Sequence, residues 1–284
     1  MQFGQTQFGS LPQVTKNLLI INGLFFLGKI LEIGIDFDRL FSLYQFQSVN
    51  FMPHQLVTHM FMHADFTHLL FNMFALFMFG RVLESVWGPK RFLTYYILTG
   101  LGAAFIYIGY IQYQANNTYK KIDNKKEIEI CEVVTTIKGK YIYQQWRGEP
   151  CQNINMDILE HIKKNDISND KAYLKQNKSG EKDFHKEANQ LNKLINTGML
   201  GASGAVYGLL LAFGMLFPNT ELYLMFIPIP IKAKYLVIGL AALALFGGIN
   251  NHPGDNIAHF AHLGGMIFGF ILLKIWQKNR NSFY

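Results

Sequence analysis

Three short stretches of the sequence carry side chains able to perform acyl transfer. Gly201-Ala202-Ser203-Gly204 opens one apolar run. A serine hydroxyl is a weak nucleophile until a base takes its proton, and small neighbours let a backbone or substrate approach closely. The same stretch reads equally as helix packing, since Gly204 and Gly208 have GxxxG spacing. His262, in Ala261-His262-Leu263-Gly264-Gly265, lies in the last apolar run beside the small residues Gly265 and Gly269. On such a face an imidazole could reach a serine on a neighbouring helix; the alternative is a structural histidine bonded to a carbonyl. His259, one turn earlier, competes for the role. Ser203 and His262 would form a dyad, with the histidine first general base and then general acid. No aspartate lies inside an apolar run to orient the imidazole, but Tyr207, one turn after Ser203 on the same face, could hold it by stacking. The third stretch, HLLFN, puts His68 and Asn72 one turn apart on one face. With the Ser203 N–H they would supply donors to a developing oxyanion; the plainer reading is a polar pair at a helix start.

These residues must be held by elements suited to a bilayer. Only 16% of the 284 residues are charged while 50% are hydrophobic, and the mean hydropathy is +0.12. A soluble protein carries about 25% charged residues. The average hides two compositions, because residues 112–193 hold about 27 of the charged side chains. The chain is therefore expected to be a membrane bundle interrupted by one polar insertion. Disorder is excluded by the abundance of Phe, Leu and Ile. Six apolar segments, roughly 17–35, 67–83, 92–111, 199–217, 233–250 and 257–276, are long enough or nearly so to cross about 30 Å of hydrocarbon. The second and fourth are short and begin with polar residues. Such half-depth starts are tolerated where the backbone is buried in protein or lines a water-filled cavity.

Lys16, Arg81, Lys90, Arg91, Lys232, Lys234, Lys274, Lys278 and Arg280 all fall at segment ends of one parity. The opposite ends offer little beyond Arg39, with Lys29 able to snorkel. By the positive-inside rule both termini are expected in the cytoplasm, with the 36–66 loop, the insertion and the 251–256 loop outside. The net charge of +7 then reports topology rather than a nucleic-acid partner. Residues 36–66 read as an interfacial loop, and the Pro-containing stretch 217–232 as a connector rather than a span. Within the insertion, EIEICEVVTTIKGKYIY alternates about Gly139 like a hairpin, and NMDILEHIKKNDI and FHKEANQLNKLI have helical spacing. Cys131 and Cys151 both lie there, without CxxC spacing, and an outer-face location permits a disulfide between them. The start of the chain has neither a cleavable signal nor a transit-like pattern, which favours a prokaryotic plasma membrane.

Taken together and in order, FMHADFTHLLFNMFALFMFGRVLESVWG (61–88), GASGAVYG (201–208) and AHFAHLGG (258–265) resemble the rhomboid family of intramembrane serine proteases. The resemblance covers the apolar core of about 200 residues. It implies an all-α polytopic membrane protein, a six-transmembrane-helix bundle with a short central fourth helix, here carrying a small extracytoplasmic α+β insertion. Residues 1–111 and 194–284 would form one rhomboid domain, and 112–193 the insertion. The resemblance further implies Ser203 as nucleophile and His262 as its base. His68, Asn72 and the Ser203 backbone would bind the oxyanion, with Tyr207 stacked on the imidazole and Gly201 and Gly204 in support. Substrates would be transmembrane proteins cut in or near their spans, in the lipid bilayer, with no cofactor. Two features depart from the family pattern. Some members carry a Trp-Arg pair in the first loop, whereas here Trp146-Arg147 lies in the insertion; and the insertion itself has no counterpart in the motifs.

The competing classes have weaker support. A non-catalytic rhomboid-like binding or trafficking factor would usually lack the serine or the histidine. A transporter would be expected to carry acidic residues within its spans; Glu84, near the inner end of the second segment, reads instead as a partner for Arg81 or for backbone at that end. His54, His59, His63 and His68 cluster along the sequence but lack HExxH spacing, so no metal site is expected. Paired intramembrane aspartates are absent from the apolar runs.

Overall fold

A computed structural model describes residues 11–31, 34–124, 132–137, 140–145, 173–174, 180–224, 227–250 and 256–278. Helices dominate it, and the chain divides into two compact units. The first comprises Met1–Leu43, Met52–Gly109 and Gly198–Tyr284. It begins with α1 (Gln13–Ile30), which Pro12 precedes without offering a side-chain cap. The short helices α2 (Phe37–Phe41) and α3 (Gln55–Thr58) follow, with a 3₁₀ turn over His59–Phe61. The loop read from sequence as interfacial thus contains helical turns. They are tied together by Gln55 Nε2 donating to Arg39 O and by Thr58 Oγ1 donating to Phe41 O, both at 3.0 Å.

The second long helical stretch runs from Phe66 to Trp87 as α4 (Phe66–Ala75), a wide π turn (Leu76–Gly80) and α5 (Arg81–Trp87). Gly88, at φ +77°, ends it, as a left-handed residue after a helix favours glycine. α6 (Pro89–Asn124) starts at once with proline, whose fixed φ suits a first helical turn. α8 (Ser203–Leu216) is only 14 residues long, about 21 Å. A β-ribbon then joins β4 (Glu221–Leu224) to β5 (Ile227–Lys232) in antiparallel register. It occupies the connector read from sequence between 217 and 232. The chain continues through α9 (Ala233–Asn250) and α10 (Asn256–Lys278).

Among the described residues, three helical stretches are long and apolar enough to cross a membrane: Phe66–Trp87, Pro89–Lys120 and His259–Lys278. Ser203–Leu216 and Ala233–Ile249 are shorter apolar helices. Large apolar side chains point outward from this bundle, among them Leu24 (60% exposed), Leu243 (67%) and Phe246 (68%). Such surface is favourable against lipid and costly against water. The chain is a multi-pass helical membrane protein.

The second unit comprises Tyr44–Phe51 and Tyr110–Thr197. Here α6 continues past the apolar run, where the sequence reading started the polar insertion at 112, and remains helical to Asn124. The physical reason is a partner helix, α7 (Gly180–Asn196), whose Leu191 and Ile195 bury Ala115 and pack on Tyr119. Ser48 Oγ donates to Asn196 Oδ1 at 2.7 Å, and Gln45 Nε2 to Gln112 Oε1 at 3.0 Å. β1 (Glu132–Ile137) pairs antiparallel with β2 (Lys140–Gln145) and, on its other edge, with β3 (Tyr173–Leu174). The expected pairing about Gly139 and the helix over 184–195 are both present. Cys131, Cys151, Trp146, Arg147 and the helical pattern at 155–167 lie outside the described residues.

α8 is the axis of the first unit, with Ala205, Leu209 and Ala212, and Ala202 just before it, almost wholly buried. Small residues let its backbone be approached from two sides. A Cβ on Gly208 would meet Thr99 of α6 at 2.7 Å, and one on Gly265 of α10 would fall on the carbonyl oxygen of Gly204. Tyr95 Oη donates to the Gly208 carbonyl at 3.0 Å across the α6 contact. Gly265→Ala is therefore expected to destabilise the protein by about 1–3 kcal/mol through overpacking against backbone that cannot yield. Gly23→Ala, in α1 with nothing within 4 Å of the new methyl, is expected to be neutral or stabilising. Thermal melts of the two variants in detergent make the comparison. Equal melting temperatures would mean that the α8–α10 approach is not tight.

Candidate active site

Ser203 is the first residue of α8, where backbone N–H groups have no helical acceptor and the helix dipole is positive. The segment leading to it is fixed from two sides. Met199 and Leu43 exchange backbone hydrogen bonds at 2.8 Å, and Gly201 N–H donates to His59 O at 2.9 Å. Gly201 itself has φ +126°, a conformation that L side chains rarely adopt. A Cβ there would also sit 2.8 Å from His68 Cε1 and 3.0 Å from its Nε2. Glycine at this position is thus required twice, by backbone angle and by the imidazole lying over it.

α10 brings His262 opposite α8. Its Nε2 is 2.8 Å from Ser203 Oγ, so the hydroxyl can donate to the ring nitrogen. The Tyr207 and His262 rings are stacked, with centroids 4.1 Å apart and planes 4° apart. His259 takes another position. Its ring is perpendicular to that of His262 at 6.4 Å, and it lies against Gly247 of α9, where a Cβ would come within 2.5 Å of Nε2. Of the two histidines read as competitors, His262 is the one that contacts the serine.

Asp65 caps α4, its Oδ1 accepting from His68 N–H at 2.8 Å. That cap puts His68 in the first turn and Asn72 one turn later. Ala64 N–H donates to His68 Nδ1 at 3.4 Å. With Nδ1 as acceptor, the ring proton belongs on Nε2, the atom beside Gly201. Asn72 is buried, and its Nδ2 donates to His68 O at 2.9 Å. A carboxamide carries a second N–H beyond that one.

Two further described histidines bond to the scaffold. His54 Nε2 meets Leu40 O and His59 Nδ1 meets Gln55 O, each at 2.8 Å. Burial pushes the His59 imidazole down to about 4. Burial, then the neighbouring His68 ring, does the same for His63. Both are neutral at neutral pH. Among the described residues no three His, Cys, Asp or Glu side chains converge in a way that could hold a metal. Sequence reasoning grouped His59 only with this histidine run. Its backbone carbonyl, which receives the Gly201 N–H, has no signature in a sequence because every residue carries one.

Against known proteins, the rhomboid domain family model matches residues 50–117 and 184–278, more than half of the chain. The chain belongs to the rhomboid family. RHOMBOID-like protein 12, mitochondrial, of Arabidopsis thaliana is 25% identical over 274 residues, 95% of this chain and 60% of that protein. An uncharacterized mitochondrial rhomboid protein of Schizosaccharomyces pombe is 36% identical over 88 residues, 29% of this chain and 22% of that one. Rhomboid protease AarA of Providencia stuartii is 37% identical over 59 residues, 21% of each chain. The chain thus spans less than two thirds of the length of each of these relatives. The matched residues of this rhomboid protein include His68, Asn72, Ser203, Tyr207 and His262.

Proposed function

We propose that this rhomboid protein is an intramembrane serine endopeptidase that cuts transmembrane proteins in or near their spans. The observation that carries the reading is the 2.8 Å contact of His262 Nε2 with Ser203 Oγ under the stacked Tyr207 ring. In the proposed reaction Ser203 Oγ attacks the scissile carbonyl carbon as His262 Nε2 takes its proton. The carbonyl oxygen becomes an oxyanion that receives hydrogen bonds from Ser203 N–H, His68 Nε2–H and the Asn72 amide. Collapse breaks the C–N bond, and His262 gives the proton to the departing amine. Water, deprotonated by the same imidazole, then hydrolyses the acyl-enzyme and restores Ser203. Tyr207 supports the reading by limiting the rotation of the imidazole stacked on it.

The proposal extends to topology. All six apolar helices would cross the bilayer, with the basic helix ends and both termini in the cytoplasm and Ser203 toward the outside of a plasma membrane. A third part, the polar stretch 112–193, would form a separate extracytoplasmic insertion, with 1–111 and 194–284 as the rhomboid domain.

The test is reconstitution of the full chain in liposomes with a panel of single-span substrates. Wild type is expected to cut at least one of them, and Ser203→Ala none. Cleavage that survives Ser203→Ala would sink the protease reading.

A further inference from the structure

Lys29, in the last turn of α1, does not simply reach for the membrane surface. Its Nζ donates to His63 O at 3.0 Å and to Ala64 O at 3.2 Å, and forms an ion pair with Asp38 Oδ1 at 3.0 Å. The side chain is 21% exposed. The first of these carbonyls matters for the site. His63 C=O and Ala64 N–H are the two ends of one peptide unit, and that N–H is the one donating to His68 Nδ1. An unbroken path therefore leads from a full positive charge, through one peptide group, to the imidazole that lies over Gly201 beside Ser203.

We propose that Lys29 is a positioning residue for the oxyanion site, holding and polarising the His63–Ala64 peptide so that His68 presents its Nε2–H to the developing charge. This rests on the protease reading above. Three physical effects run in the same direction. The ammonium on His63 O draws electron density from the peptide and makes Ala64 N–H a stronger donor, as in any chain of hydrogen bonds. A stronger bond into Nδ1 holds the proton on Nε2 and makes that N–H the better donor in turn. The second bond, to Ala64 O, fixes the turn just before the Asp65 cap, so the ring cannot swing away with the start of α4. Asp38, itself in the short helix α2, holds the ammonium in place from its other side. The long 3.4 Å bond is the weak member of the path, and so the one most sensitive to the loss of the charge.

The test uses the full chain in liposomes and a single-span substrate that wild type cuts in a Ser203-dependent way. Lys29→Met is expected to lower kcat about tenfold, a fraction of the 10²–10³-fold cost of removing an oxyanion donor outright. KM should stay within about twofold, and the melting temperature close to wild type. Lys29→Arg, which keeps a cationic donor, should restore most of kcat. In a His68→Ala background, Lys29→Met should change nothing further, because the path it feeds has been cut. Should Lys29→Met fail to fold, Lys29→Gln, with an N–H donor but no charge, reads the same cycle. A kcat for Lys29→Met equal to wild type overturns the inference. So does an equal loss in both backgrounds, or a loss accounted for by the folded fraction alone. Absence of any Ser203-dependent cleavage by wild type overturns the protease reading itself, which separates the two failures.

Discussion

His262→Ala is expected to lower kcat by on the order of 10⁶-fold, the scale seen when a serine protease loses its histidine base. The melting temperature should hardly move. The hydroxyl of Ser203 has His262 Nε2 at 2.8 Å. The other histidine of α10 cannot substitute: His259 lies with its ring perpendicular at 6.4 Å and packed against Gly247. Moving it to the serine would require sliding α10 by about 4.5 Å along its axis and turning it by about 60°, against the close contact of Gly265 with the Gly204 carbonyl. His259→Ala is the matched control and should retain kcat within a few-fold. Time courses of substrate cleavage at saturating substrate, on purified protein of each variant, measure both. Loss of activity in His259→Ala with survival in His262→Ala would reverse the assignment.

Glu84→Ala is expected to have the largest effect on stability. The first turn of α1 has no cap of its own, since Pro12 offers no side-chain acceptor. Glu84 of α5 supplies one from across the bundle. Its Oε1 accepts from Val14 N–H at 2.9 Å, and its Oε2 from both Thr15 N–H and Thr15 Oγ–H at 2.7 Å. Glu84 and Thr15 are both buried, so truncation leaves donors with no replacement acceptor. It also removes a negative charge from a helix N-terminus. About 3 kcal/mol of stability should be lost. Glu84→Gln, which keeps one carbonyl oxygen, should lose less. Ser85→Ala next to it, whose hydroxyl is exposed and bonds only within the helix to Arg81 O, should lie within about 0.5 kcal/mol of wild type. Denaturant titration in mixed micelles checks the order. If Glu84→Ala melted with wild type, the interhelical cap would carry no weight.

Glu84 also illustrates what a linear reading leaves open. The sequence offered Arg81 or helix-end backbone as its partner, and the structure chooses backbone, but that of a helix some seventy positions away. Nothing in local spacing encodes that choice. The extension of α6 to Asn124 was missed for a similar reason. The composition turns polar at about 112, and a polar helix is stable there only because Leu191 and Ile195 of α7 cover it. The β4–β5 ribbon escaped notice because prolines at 218, 228 and 230 read as connector signals, and an edge ribbon tolerates them. By contrast the starts of α4 and α8 were readable. The second and fourth apolar runs both begin with polar or small residues, as HLLFN and the cluster at 201–204 show.

By itself, the sequence determined the class of the molecule and offered the candidates for its chemistry. Apolar runs set against one charged segment specify a membrane bundle, because hydrocarbon admits few charges. Ser203, His262, His68, Asn72 and Tyr207 stand out because polar atoms in such runs are costly and rare. Tertiary structure alone decided which nitrogen of His68 lies beside Gly201 and that Lys29 is anchored on the His63 and Ala64 carbonyls. Each is set where α8 and α10 cross and where α1 ends beside α4. Those crossings depend on small residues approaching backbone from distant parts of the chain, and the distances they produce belong to the packed bundle rather than to any one segment of it.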